Sequence, residues 1–171
     1  MKVAVVAGNP KAESRTLAAG VRLAARLADA EPDVVVDVVT LGAGLLGWGD
    51  EAVSAAVEDV ASSDLVVVAS PTFKATYTGV LKLFLDQFAT GTGLQDVVAV
   101  PLMVGAGPAH ALAPELLLKP VLVELGAYAP APGLYVRESE HAEAAPYDAY
   151  AQRWGAAIRA LASGAREQAA V

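Results

Sequence analysis

An open, doubly wound α/β sheet of five parallel strands in the order 2-1-3-4-5 is the fold class that three observations predict. Apolar runs of strand length recur at residues 3–7, 34–39, 65–69, 97–104 and 134–136. The first four are apolar at nearly every position rather than alternating, as expected for parallel strands covered by helices on both faces. Helical patterns fill the gaps, and strands alternating with helices through right-handed crossovers wind such a sheet. A chain of 171 residues suits one domain, 1–171, because it can bury roughly two thirds of the surface it exposes when unfolded. No internal repeat divides it.

The elements follow in order. Strand one runs into GNPKAESRT, residues 8–16, which opens a helix striped by Leu17, Val21, Ala24 and Ala28, with Arg22 and Arg26 outside the stripe. After strand two, GAGLLG (Gly42, Gly44, Gly47) satisfies the dinucleotide fingerprint G-x-G-x-x-G. Its context fails, because Trp48, Gly49 and Asp50 separate it from the next helix and the next strand ends in Ala69 and Ser70 rather than an acid. The segment reads as a flexible connection, with Trp48 at a site mouth, against a partner subunit or simply packed. Val53, Ala56, Val57 and Val60 stripe the second helix. Between residues 79 and 88, Val80, Leu81, Leu83, Phe84, Leu85 and Phe88 cover most of a helix circumference, so sheet contact alone leaves some exposed and a subunit interface would cover the rest. The helix after His110 carries Pro114 and Pro120, each lacking a backbone donor, and should kink or start late. Tyr147, Tyr150, Trp154, Ile158 and Leu161 stripe a closing helix.

Composition narrows the function classes. A formal charge of −7 opposes a phosphate backbone, and the basic residues form no stripe, so nucleic acid is not an expected partner. The absence of Cys excludes disulfides, thiolate metal sites and a cysteine nucleophile. Met1 and Lys2 are followed by a strand too short for a signal peptide's apolar region, which makes the cytoplasm the expected location. Residues 97–114 lack a formal charge, yet Pro101, Gly105, Gly107, Pro108 and Pro114 would break one spanning helix repeatedly, so a soluble reading is preferred.

In an open α/β sheet, ligands sit beyond the carboxyl ends of the strands, where strand order reverses. Three loops meet that edge. The first offers phosphate its free backbone N–H groups and the start of a helix, with the hydroxyls of Ser14 and Thr16 and the cations Lys11 and Arg15. No Lys or Arg occurs between Arg26 and Lys74, so an acidic chain has placed two of its few cations here. The same loop also suits an ordinary capped helix with Ser14 as N-cap, and Glu13 counts against phosphate. The second loop, residues 71–79, could hold a heterocycle beside Phe73 and Tyr77, or be a Pro-initiated turn with both aromatics in the core. Lys82 and Asp86 read as a helix-surface pair. The third, VGAGPAH, lets backbone approach a ligand at Gly105 and Gly107 and sets His110 near a helix start.

Together, GNPKAESRT, SPTFKATYTGVLKLFLDQ and GAGPAHALAPELLLKPVLVELGA resemble the NADPH-dependent FMN reductase family, of flavodoxin-like fold. The likeness is greatest to the branch that supplies reduced flavin to two-component alkanesulfonate monooxygenases. That resemblance implies FMN, with NADPH or NADH as the second nucleotide. Asn9, Lys11, Ser14, Arg15 and Thr16 would hold the FMN phosphate. Pro71, Thr72, Phe73 and Lys74 would border the ribityl chain and isoalloxazine, and Gly105 and Ala106 would face the ring. Many relatives have Tyr where this chain has Phe73 and Ser where it has Asn9; some sulfonate-linked relatives carry Tyr at the position of Leu116.

The implied chemistry is hydride transfer from nicotinamide C4 to flavin N5, which the flavin itself carries out. It requires no side-chain nucleophile or metal, and no catalytic residue or metal ligand is assigned. Lys74 would help stabilise the reduced flavin's charge. The resemblance also implies a homodimer or tetramer and a flavin-dependent monooxygenase as partner. Three other readings share the fold: a reductase of quinones, azo compounds or metal oxyanions that retains its FMN, a flavodoxin-like electron carrier without enzymatic activity, and a flavodoxin-like interaction domain that binds no flavin.

Overall fold

The computed structural model describes residues 1–169, with side-chain surroundings through residue 164. Strands β1 (Val3–Ala7), β2 (Val34–Asp37), β3 (Leu65–Pro71), β4 (Val98–Gly105) and β5 (Leu134–Arg137) form one parallel sheet in the order β2-β1-β3-β4-β5. Every residue of β1, β3 and β4 is buried, because helices cover both faces of these strands. Ala4, Val6, Val66 and Val68 face a core shared with α2 (Glu51–Ala61), α3 (Gly79–Leu85) and α4 (Lys119–Glu124). Val3, Val5, Leu65 and Val67 face the opposite core, under α1 (Arg15–Ala28) and α5 (Ala145–Ala169). Among the described residues, no helix is long and apolar enough to cross a membrane.

The helix starts are fixed by side chains. Ser14 Oγ accepts the Leu17 N–H at 3.2 Å to cap α1, and Asp50 Oδ1 accepts the Ala52 and Val53 N–H groups to cap α2. Each such cap stabilises by about 1 kcal/mol. The Thr78 hydroxyl has two tasks: it accepts the Leu81 N–H at 3.1 Å, capping α3, and donates to the Gly8 carbonyl at 2.6 Å. Its backbone N–H is in turn held by Ser70 Oγ at 3.1 Å. A Cβ on Gly8 would lie 2.2 Å from the Leu81 Cβ, so only glycine lets α3 rest directly on the end of β1.

Several expected boundaries move. β2 ends at Asp37 rather than residue 39, because the chain turns there into a tightly wound 3₁₀ stretch, Val38–Leu46, that buries Val38 and Leu45 without continuing the ladder. The GAGLLG segment therefore lies largely within a 3₁₀ stretch, interrupted at Gly42 (φ 58°), rather than in a flexible connection. On α1 the buried face is Thr16, Ala19, Gly20, Leu23, Ala24 and Leu27, whereas Leu17, Val21 and Ala28 sit half-buried at its margin. The small residues Ala19 and Gly20 set this rotation, since a Cβ on Gly20 would already press on Val5.

Helix α3 stops at Leu85, three residues before the expected end. Phe88 nevertheless packs inside, edge-on to Phe84 with ring centroids 5.4 Å apart. One chain thus buries Leu81, Phe84, Leu85 and Phe88, and Leu83 is the large apolar side chain of that stretch left exposed. After β4, the expected delayed helix takes the form of a 3₁₀ turn (Pro108–His110), a π turn (Pro114–Leu118) and then α4. The Lys119 N–H reaches back five residues to the Pro114 carbonyl, and Pro120, which cannot donate, falls in the first turn of α4 where no donor is needed. The closing stripe holds: Tyr147 and Ile158 are fully buried, Tyr150 nearly so.

Thr78→Val keeps the side-chain shape and deletes both hydroxyl bonds at the junction of β1 and α3. Urea denaturation should show a loss of about 2–3 kcal/mol, with the slope unchanged.

Candidate functional site

The register brings the carboxyl ends of four strands level. Ala7 pairs with Ala69, Pro71 with Val104 and Gly105 with Arg137. The ladder continues briefly into the loops, where the Gly8 N–H bonds the Ala69 carbonyl at 2.9 Å and the Thr72 N–H bonds the Val104 carbonyl at 2.7 Å. Between these loops lies a cleft of about 410 Å³. Its walls include Asn9, Lys11, Ser14, Arg15 and Thr16 from the first loop, Pro71, Thr72 and Phe73 from the second, and Gly105 and Ala106 from the third. Lys74 is not among them. It lines a neighbouring open cavity of about 610 Å³ with Ala75, Gly107, His110 and Tyr135, and the two cavities share Thr72 and Ala106. A groove of about 590 Å³ along the outer face of α1 is larger than the cleft, but it lies along one helix and the loops at its two ends instead of drawing several strand ends together.

The first loop is folded by its own polar groups. Asn9 Oδ1 accepts the Lys11 N–H at 2.9 Å, and Asn9 Nδ2 donates to Thr16 Oγ1 at 3.0 Å, so Asn9 ties the two ends of the loop together. Glu13 adopts a left-handed backbone (φ 53°), and its N–H is held by Asp37 Oδ2 at 2.8 Å. Asp37, at the end of β2, is thus a positioning residue that the sequence concealed inside an apolar run. The first-turn N–H groups of α1 at Arg15 and Thr16 have no intrahelical acceptor, as in any helix, and no acidic side chain lies in that turn. Ser14 is an N-cap, as the simpler reading held, while also lining the cleft.

The second loop is a tight turn. Phe73 and Thr76 exchange both backbone bonds, at 2.9 and 3.2 Å, around Lys74 (φ 51°) and Ala75 (φ 70°). Two successive left-handed residues describe the mirror-image turn normally built from Asn and Gly. The turn swings Lys74 away from the cleft and leaves Phe73 half exposed at its wall rather than in the core, while Tyr77 packs half-buried against the core. Thr72 Oγ1 is buried at the cleft wall with no protein partner. In the third loop, a Cβ on Gly105 would fall 1.9 Å from Tyr135 Oη, which passes through that space to donate to the Gly107 carbonyl at 2.7 Å.

Glu138, just beyond β5, completes the cleft and was not anticipated. Its carboxylate forms an ion pair with the Arg15 guanidinium. Glu13 also lines the cleft, whereas Trp48 projects into solvent away from both cavities, 77% exposed. Lys11 and Lys74 form no ion pair among the described residues, although the other described lysines are all paired. Such a lining, with helix-start N–H groups, an unpaired cation, an orphaned hydroxyl and an aromatic face, can hold a phosphate joined to a flat polar ring system.

A sequence profile of NADPH-dependent FMN reductases matches residues 1–142. The chain belongs to this family. The FMN reductase (NADPH) of Escherichia coli strain K12 is 39% identical over 83 residues, which are 48% of this chain and 43% of that protein. The match therefore spans less than half of that relative. The FMN reductase (NADPH) of Pseudomonas aeruginosa is 27% identical over 146 residues, 81% of this chain and 78% of that protein. Among solved structures, an apo NADH:FMN oxidoreductase (EMOB) superposes with a TM-score of 0.80 at 28% identity, covering 95% of this chain and 89% of that one. The nucleotides that the family's description implies are FMN and NADPH, and no metal-binding cluster of His, Cys, Asp or Glu occurs among the described residues.

Proposed function

We propose that this protein is an NAD(P)H-dependent FMN reductase, with FMN in the cleft between the loops after β1, β3 and β4. The observation that carries the reading is the convergence of those three loops on one cleft whose orphaned Thr72 hydroxyl awaits a partner. FMN fits the residues present. Lys11, Arg15 and the first N–H groups of α1 would bind its phosphate, with Ser14 and Thr16 beside them and Asn9 holding the loop in shape. Pro71, Thr72 and Phe73 would border the ribityl chain and one side of the ring, and Gly105 and Ala106 would face it from the third loop. When bound, FMN supplies the acceptor, N5, for the hydride of the nicotinamide. The protein's part is to position two rings and keep water from between them. Lys74 and His110 belong to the adjoining cavity and would meet the nicotinamide nucleotide there, a change from the expectation that Lys74 borders the flavin.

The use we infer for reduced FMN is delivery to a flavin-dependent monooxygenase in the cytoplasm, where NAD(P)H is supplied. We infer self-association as well. The exposed apolar side chains Leu112, Leu116, Leu117 and Val123 cluster on and around the π turn and α4, and they support an interface there more than α3 does. Size-exclusion chromatography with light scattering should give a dimer or tetramer, and a monomer at micromolar concentration would refute the inference.

Two outcomes test the activity. Anaerobic mixing of the protein with NADPH or NADH should produce reduced flavin only when FMN is present; no oxidation of either nucleotide with FMN would overturn the reading in favour of a carrier or a binding domain. Yellow flavin that survives purification would shift it to the FMN-retaining reductase. Within the cleft, Arg15→Ala should weaken FMN binding about tenfold, the worth of a charge-assisted phosphate contact, while Lys74→Ala changes it less than about threefold. Flavin fluorescence titration ranks the two, and the reverse order would contradict this assignment.

A further inference from the structure

We propose that Glu138 sets the lifetime of bound FMN: by pairing with Arg15 at the phosphate end of the cleft, it makes the flavin a ligand that leaves. This rests on the cleft being the FMN site. Lys11 and Arg15 bring two positive charges to the lining, and Glu13 and Glu138 bring two negative ones, so the site offered to a phosphate has no net charge. A phosphomonoester carries about −1.5 to −2 at pH 7. Its arrival must either displace Glu138 from Arg15 or share the guanidinium with a carboxylate of like charge. Both cost affinity relative to a cleft whose cations stand free. The pair is accessible enough to exchange, with side-chain exposures of 60% for Arg15 and 41% for Glu138. Glu138 therefore returns to Arg15 as the phosphate departs, which lowers the barrier to release.

The origin of Glu138 also matters. It follows β5 directly, and the Gly105 to Arg137 register places it across from the third loop, so the carboxylate comes from an element that otherwise contributes nothing to the phosphate end. Its neighbour Glu140 pairs with Arg137 and does not line the cleft, which provides an internal control for general charge effects.

The test titrates wild type, Glu138→Gln and Glu140→Gln with FMN and with riboflavin, which lacks the phosphate, following flavin fluorescence. Glu138→Gln should tighten FMN about fivefold, the scale of an exposed ion pair, and should slow its dissociation in stopped-flow displacement. Its riboflavin binding should match wild type, and Glu140→Gln should match wild type for both ligands. Glu138→Ala, checked by circular dichroism for its fold, serves if the glutamine variant misfolds. FMN affinity that is unchanged or weaker, or riboflavin tightened as much as FMN, would overturn the proposal. If wild type binds FMN and the variant binds it no tighter, this inference alone fails. If neither binds FMN, the cleft assignment fails and takes the inference with it.

Discussion

The contact on which the rest of this structure depends is the seat of α3 on Gly8. With no side chain at residue 8, the Leu81 Cβ occupies the space above the end of β1, and Thr78 locks the approach by bonding both the Gly8 carbonyl and the first turn of α3. Ser70, the penultimate residue of β3, holds the Thr78 N–H from below. Two segments distant in sequence, the end of β1 and the connection from β3 to α3, thereby meet within hydrogen-bond distance, in a buried place where an unmade bond costs more than a made one gains. The loop after β1 and the loop after β3 cannot drift apart without breaking this junction.

The same logic recurs at each cleft wall. Asp37 at the end of β2 fixes the first loop through the Glu13 N–H, and Tyr135 on β5 fixes the third through the Gly107 carbonyl. Each ligand-facing loop is therefore fastened by the neighbouring strand instead of by its own side chains alone. That arrangement frees the inward-facing groups, such as the Thr72 hydroxyl and the N–H groups at the start of α1, from structural duty. It suits a reaction in which the protein needs to hold two rings in register and supplies no bond-making group of its own.

Much of this was legible in the sequence, for identifiable reasons. Strands buried on both faces leave continuous apolar runs, so β1, β3 and β4 declared themselves within a residue or two, and strand order followed from the alternation with helices. β2 did not end where its apolar run ended, because Val38 is buried by a 3₁₀ turn as effectively as by a strand, and that hid Asp37. The face of α1 was misjudged by about one position, since the residues that seat it, Ala19 and Gly20, matter by their smallness rather than their hydrophobicity. The loops after β1, β3 and β4 carried their lining residues in contiguous motifs. Lys74 broke the pattern through two left-handed residues without the Asn or Gly that signals them, and Glu138 could be found only from the pairing of β4 with β5.

Glu138 also separates two properties that a shared fold leaves undecided. The framework that shapes the cleft is buried and extensively tied, whereas the paired charges of Arg15 and Glu138 at its rim are half-exposed. Under the proposed assignment of FMN to the cleft, its fit to the isoalloxazine would remain constant while affinity for the phosphate is adjusted at the rim by a single carboxylate. Exposed ion pairs contribute at most about 1 kcal/mol, too little to disturb the fold yet enough to change a ligand's residence time several-fold. With FMN in the cleft as proposed, whether it is held or handed on would thus be set by a residue outside all three loops that shape the cleft.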